Sequence, residues 1–184
     1  SLKARGDEPI PVERFMRDAR INLLIEGTSE IMRLFIAREA MDPHLKRILP
    51  ILSPKISLPG KLSKMVEAFG FYALWYPAQW IGLFSPGCPI PLSGKLKRHV
   101  STVMKLSRKL ARGIFQAMAV HQQGLEKRQQ MLARFVNIGT DLFVMLSTCS
   151  RTASLMKQNP SDTSPEELAD LFCKEAALRI QKEF

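Results

Sequence analysis

Cysteine, histidine and long apolar runs are all scarce in this chain, and each shortage removes a class of protein. The three cysteines, Cys88, Cys149 and Cys173, are far apart, odd in number and form no CxxC pair. Neither a disulfide framework nor a zinc site is indicated, and a reducing, intracellular setting is the default expectation. His44, His99 and His121 are scattered, with no Glu-x-x-His or His-x-x-Glu-His pair, so no metal is expected. Ser/His/Asp triad chemistry has no local signature either. No uninterrupted apolar run approaches the roughly 18 residues of a membrane span, and Ser1-Leu2-Lys3-Ala4-Arg5 lacks the apolar core of a signal peptide. An initiator Met is missing too, which suggests a cut or processed chain.

What is present is a chain able to build a core. Of its 184 residues, 46% are hydrophobic and 24% charged, the balance of a folded globular protein rather than a disordered one. The net charge of +10 favours acidic partners such as phosphates, anionic lipid or nucleic acid, without choosing among them. Eight of the 12 prolines lie between Pro43 and Pro91, whereas Lys95 to Asn159 has none. That contrast marks boundaries and divides the chain into 1–49, 50–93 and 94–184.

Apolar spacing predicts helices almost throughout. Val12 to Leu24 places Val12, Phe15, Met16, Ala19 and Leu23 on one face. Glu26-Gly27-Thr28-Ser29 breaks the pattern, with Thr28 or Ser29 able to cap a second helix from Glu30 to Met41. Its expected stripe is Ile31, Leu34, Phe35, Arg38 and Met41, and Pro43 is expected to stop it or to open a short further turn through Leu49. From Pro50 to Pro91 one helix is expected, Gly60 to about Tyr76, amid otherwise irregular chain. Two long helices follow, Lys95 to Gln123 and Leu125 to Gln158, divided near Gly124 and weakened locally by Gly113 and Gly139. Ser164-Pro165-Glu166-Glu167 then reads as a cap, a first-turn proline and first-turn acids opening a last helix. No strand pattern or internal repeat competes, so the fold class is all-α, with antiparallel helices in the second half.

The most informative segment is Val12 to Glu39, VERFMRDARINLLIEGTSEIMRLFIARE. A carboxylate at a glycine turn between two apolar helices is a plausible general base, because partial burial raises its pKa and a turn can aim it into a cleft. Periodicity alone favours the plainer reading, that Glu26 simply caps a turn. The segment closely resembles the signature near the C-terminus of acyl-CoA dehydrogenases, in which an RDARI-like helix leads through an EGT turn into a helix ending RLxIARE. More weakly, Lys95 to Phe184, with RTASLMKQ and LADLFCKEAALR, resembles the extra helical domain of the very-long-chain branch. The implied architecture is the end of a C-terminal helical bundle followed by an extra antiparallel helical domain.

The resemblance implies that Glu26 is the catalytic base, removing the α-proton of a fatty acyl-CoA while hydride leaves the β-carbon for FAD, giving a trans-2-enoyl-CoA. Glu26 and Gly27 would contact substrate, Glu26 also through its backbone amide at the thioester carbonyl. Thr28 and Glu30 match positions that contact the flavin, and Arg38 a position just behind the base; the plainer alternatives are helix capping and a surface arginine. Arg17, Asp18 and Arg20 fit a structural ion-pair network with no catalytic role. The implied partners are an electron-transfer acceptor and a second copy in a homodimer. The implied location is cytoplasmic or inner-membrane-associated in a bacterium, or the matrix side of a mitochondrion. Without the flavin-covering domains this stretch should be inactive alone.

Two other segments invite partners. Trp75, Trp80, Tyr72, Tyr76, Phe69, Phe71 and Phe84 fall within 61–91, which resembles the membrane-attaching segment of the very-long-chain branch, although such rings equally suit a core. Lys95, Lys97, Arg98, His99, Lys105, Arg108, Lys109 and Arg112 spread around a helix with no stacking aromatic between them, a solvated face rather than a nucleic-acid site. The competing reading of the whole chain is a non-enzymatic helical module serving oligomer or membrane contacts.

Overall fold

The computed structural model describes residues 11–21, 28–53, 56–82 and 92–184, and among these there are six α-helices and no strand. They are α1 (Val12–Ile21), α2 (Ser29–Leu52), α3 (Leu58–Ile81), α4 (Gly94–His121), α5 (Gln129–Gln158) and α6 (Ser164–Glu183). A 3₁₀ turn, Gln122–Lys127, joins α4 to α5 around Gly124. The all-α expectation holds.

α5 is the central element. α6, α4 and α2 all pack on it, while α3 lies against α2 and α4. By length and composition alone α5 could cross a membrane, a property that the runs of apolar residues in the sequence did not suggest. Here its apolar surface serves internal packing: Leu132, Val136, Ile138, Leu142, Met145, Cys149 and Thr152 are all buried. One cluster joins Leu96 and Val103 of α4, Ile138 to Cys149 of α5, and Ala169, Cys173, Ala176 and Ile180 of α6. A second joins Ala37 and Met41 of α2 to Ala117, Leu125, Leu132 and Val136. α4 and α5 therefore run through both clusters. Within the first, Cys149 and Cys173 meet with their sulfurs 3.9 Å apart, both buried and unoxidised.

Several expectations are corrected. α2 does not stop near Met41 but continues through Pro43 and Pro50 to Leu52. An interior proline costs roughly 3 kcal/mol, and burial of Met41 and His44 on either side of Pro43 offsets it. The inward face is Leu34, Ala37, Met41 and His44: of the predicted stripe Leu34 and Met41 lie on it, whereas Ile31 and Phe35 stay more than half exposed and Arg38 is exposed. In α1 no residue is buried, Val12, Phe15 and Met16 included. Leu23 and Leu24 lie outside the described residues.

α3 is longer than expected, opening with Pro59 in its first turn, passing Pro77 and ending at Ile81. Gly82 closes it in the left-handed conformation, φ +72°, and returns its N–H to the Ala78 carbonyl. Gly113 and Gly139 do not interrupt their helices. They sit where α4 and α5 cross, so that a methyl at Gly113 would touch Phe135 and one at Gly139 would touch Leu110. The start of α6 also differs: Thr163 is the cap position, and Asp162 Oδ1 accepts from both the Ser164 amide and its hydroxyl.

Polar contacts tie the start of α4 to α6. The Ser93 hydroxyl accepts from the Leu96 amide and donates to Glu166. His99 Nε2 lies 2.7 Å from Asp170 Oδ1, and Lys174 Nζ donates to Asp170 Oδ2 at 2.6 Å. Hydrogen bonds from Lys174 and then His99 hold the Asp170 carboxyl down at about 2. The basic run on α4 is thus partly committed within the fold, since Arg112 also donates to the Gln79 carbonyl and covers the Trp80 ring, and Lys109 covers Phe184.

Because the folded value for Asp170 lies below its ordinary value near about 4, its contribution to stability is complete above that pH and drains away as pH falls toward 2. Asp170→Asn should therefore flatten the decline in melting temperature across that interval. Parallel acid limbs for variant and parent would show that the carboxylate is not linked to folding.

Candidate functional site

Glu26 and Gly27, the residues expected to face substrate, lie outside the described residues. The chain is described again from Thr28, the half-buried cap position of α2, with φ −59° and ψ 153°. Its carbonyl accepts from the Met32 amide at 3.0 Å, but its hydroxyl makes no capping bond. The opening amides of α2 therefore keep the unfilled donors and partial positive charge of any helix start. Glu30 stands in this first turn, exposed. Arg38 is exposed about 15 Å further along the axis at α-helical rise. Thr28 and Glu30 are thus brought together, and Arg38 is held apart from them on the same helix.

Sequence reading missed what surrounds this turn. A cleft of about 560 Å³ is lined by Ser29, Met32, Arg33 and Ile36 of α2, by α5 around Asn137 and Asp141, and by Arg179, Lys182 and Glu183 at the end of α6. Arg179 Nη2 donates to Asp141 Oδ1 at 2.9 Å, and Glu183 Oε1 accepts from Asn137 at 3.1 Å with Arg134 3.9 Å from its other oxygen. The last helix therefore reaches the start of the helix that follows Glu26-Gly27. Partners 38 and 46 residues apart have no local signal in a sequence; only the charged face of the final helix pattern hints at them.

Adjoining it, an apolar groove of about 300 Å³ lies between α2, α4 and α5, walled by Ile36, Ala40, Leu110, Ile114, Phe135 and Phe143, with Gly139 at its base. Behind α2, His44 is buried rather than a ligand. Its Nδ1 is 2.9 Å from the Tyr72 hydroxyl, and the rings of Tyr72, Trp75 and Phe115 surround it. Burial, and then nearby Arg47, push the histidine below its ordinary value, while burial raises Tyr72. Phe71, Tyr72, Trp75 and Tyr76 thus belong to an internal ring cluster with His44 and Phe115. The opposite side of α3 is bare: Leu58, Leu62, Val66, Phe69, Leu74, Trp80 and Ile81 are each more than 60% exposed. Among the described residues no group of acids, histidines and cysteines could hold a metal ion.

Comparisons with known proteins add to this geometry. Residues 94–184 match the family model described as ACAD9/ACADV, C-terminal domain, and residues 5–41 match Acyl-CoA dehydrogenase, C-terminal domain. The probable acyl-CoA dehydrogenase FadE10 of Mycobacterium tuberculosis is 42% identical over 185 residues, covering 100% of this chain and 28% of that protein. The human mitochondrial very long-chain specific acyl-CoA dehydrogenase is 27% identical over 172 residues, covering 93% of this chain and 26% of its own length. The chain spans about a quarter of the length of these relatives. A crystal structure of an acyl-CoA dehydrogenase complexed with FAD from Bacillus anthracis superposes over 95% of this chain and 26% of that one, with TM-score 0.60 at 24% identity, a likeness of fold.

Since the Thr28 hydroxyl caps nothing, Thr28→Ala should cost less than the roughly 0.5–2 kcal/mol of an ordinary N-cap loss. Denaturant midpoints of the two proteins measure this, and a loss in the upper half of that range would assign the hydroxyl to holding the helix.

Proposed function

We propose, for a chain that belongs to the acyl-CoA dehydrogenase family, that it forms the C-terminal part of an enzyme oxidising a fatty acyl-CoA thioester to its trans-2-enoyl product. The observation that carries this reading is the match along the entire chain to a relative of that kind, at 42% identity, with Thr28, the last residue of the EGT motif, at the cap position of α2. Glu26 is the base in this reading. Its carboxylate takes the proton on the carbon next to the thioester, and its backbone amide, with Gly27 permitting the turn, receives the developing charge on the carbonyl oxygen.

FAD fits what the described residues offer. An uncommitted Thr28 hydroxyl beside the free amides of a helix start suits a phosphate or ribityl oxygen, with Glu30 within the same turn. When bound, that cofactor supplies the hydride acceptor at the β-carbon. The resemblance also puts Arg38 just behind the base, where a cation would favour the ionised carboxylate; on α2 it stands exposed and apart from Thr28. An electron-transfer acceptor then reoxidises the enzyme, which we place in a homodimer, either in the cytoplasm of a bacterium, at its inner membrane, or on the matrix side of a mitochondrion.

A second role belongs to the bare side of α3. Leu62, Met65, Val66, Phe69 and Trp80 form an exposed apolar surface on a helix that also carries Lys61 and the Glu67-paired Lys64, the composition of a segment that rests at headgroup depth. With Tyr72 and Trp75 turned inward, Phe69 and the outer side of Trp80 are the exposed rings of α3 among the described residues, and Phe84 lies outside them.

In the complete polypeptide, Glu26→Gln should abolish dehydrogenation while leaving flavin absorbance at full stoichiometry; turnover that survives the substitution would remove the base assignment. For the surface role, flotation with anionic vesicles should recover the complete protein at low and at high salt. Phe69→Asp should reduce recovery by roughly tenfold or more, the equivalent of losing about one buried large side chain, and equal recovery would dismiss membrane contact through α3.

A further inference from the structure

The apolar groove and the charged cleft are continuous, for Ile36, Val136 and Thr140 line both. Three of the groove's lining residues are small, Ala37, Ala40 and Gly139, the last with nothing nearer to a built methyl than Leu110 at 3.9 Å. Thr140 contributes the one polar side chain among the groove-lining residues. At about 300 Å³ the groove is at the lower limit of the roughly 300–1,000 Å³ of small-molecule sites.

The cleft at its mouth has a definite charge preference. Five ionisable side chains line it, Arg33, Asp141, Arg179, Lys182 and Glu183. Both carboxylates are already engaged, Asp141 by Arg179 and Glu183 by Asn137 and Arg134. Arg33 and Lys182 make no ion pair among the described residues. An apolar slot therefore opens beside two uncompensated cations, which is the complement of a chain with an anionic head.

From this continuity we infer a binding site for one free medium-chain fatty-acid anion, its alkyl chain in the groove and its carboxylate at Arg33 and Lys182. The chain gains by leaving water for an apolar wall, and the head by charge-assisted hydrogen bonds that either cation can supply. The site uses residues of α2, α4, α5 and α6 and needs neither Glu26 nor the flavin, so loss of the dehydrogenase reading leaves it standing.

Decanoate titrated calorimetrically into the complete polypeptide, below its micellar concentration, tests this directly. Saturable binding is expected, with a diazirine-bearing decanoate labelling Ile36, Thr140 or Phe143 by mass spectrometry. Arg33→Gln combined with Lys182→Gln should weaken decanoate at least fivefold while leaving decanol unchanged, and Ala40→Trp, which fills the slot from an exposed position, should weaken both at least tenfold. Three outcomes overturn the inference: no saturable binding, because neighbouring chain already fills the groove; labelling confined to residues elsewhere; or binding only of anionic phosphatidylglycerol vesicles and not of monomeric decanoate.

Discussion

The structure depends on α5 being buried from several sides. A helix of 30 residues, long and apolar enough for a bilayer, is instead packed by α2, α4 and α6 along part of its surface, while Phe143 stays 70% exposed. Its two ends serve different clusters, Leu132 and Val136 facing α2, Met145 and Cys149 facing α6. Burial of side chains of this size contributes on the order of 1.5–3 kcal/mol each, so the position of α2 is set by the same helix that organises the tail. The region resembling a dehydrogenase signature and the region resembling an extra helical domain therefore share an element.

Legibility in the sequence followed the range of the forces involved. α4, α5 and α6 were readable because their apolar spacing continues for many turns and Gly124 and Pro165 mark the ends. α2 was misread at Pro43, where a local rule about a missing amide was overridden by packing of Met41 and His44 against neighbours. The predicted stripe on α2 erred for a related reason: Ile31 and Phe35 are as apolar as Leu34 and Ala37, and only the placement of α4 and α5 selects which of them is buried.

The candidate site divides the same way. Glu26, Gly27, Thr28, Glu30 and Arg38 stand out by resemblance, within one short segment. The cleft lined by Ser29 and Met32 was not readable, because Arg33 and Arg179 are brought to one place only by α5 lying between α2 and α6. The ring cluster shows the converse case. The sequence left Tyr72 and Trp75 open between membrane contact and core, and the choice falls to His44, 28 residues from Tyr72, which supplies an internal partner for the phenol.

The sulfurs of Cys149 and Cys173 give the molecule a means of reporting on itself. Contact with Cys149, together with burial, raises the Cys173 thiol, so it stays protonated and a poor nucleophile while α5 and α6 are closed. An alkylating reagent can reach either atom only when those two helices separate. The speed of its incorporation then counts how often the seam parts, a native clock for breathing of the tail that needs no dye attached.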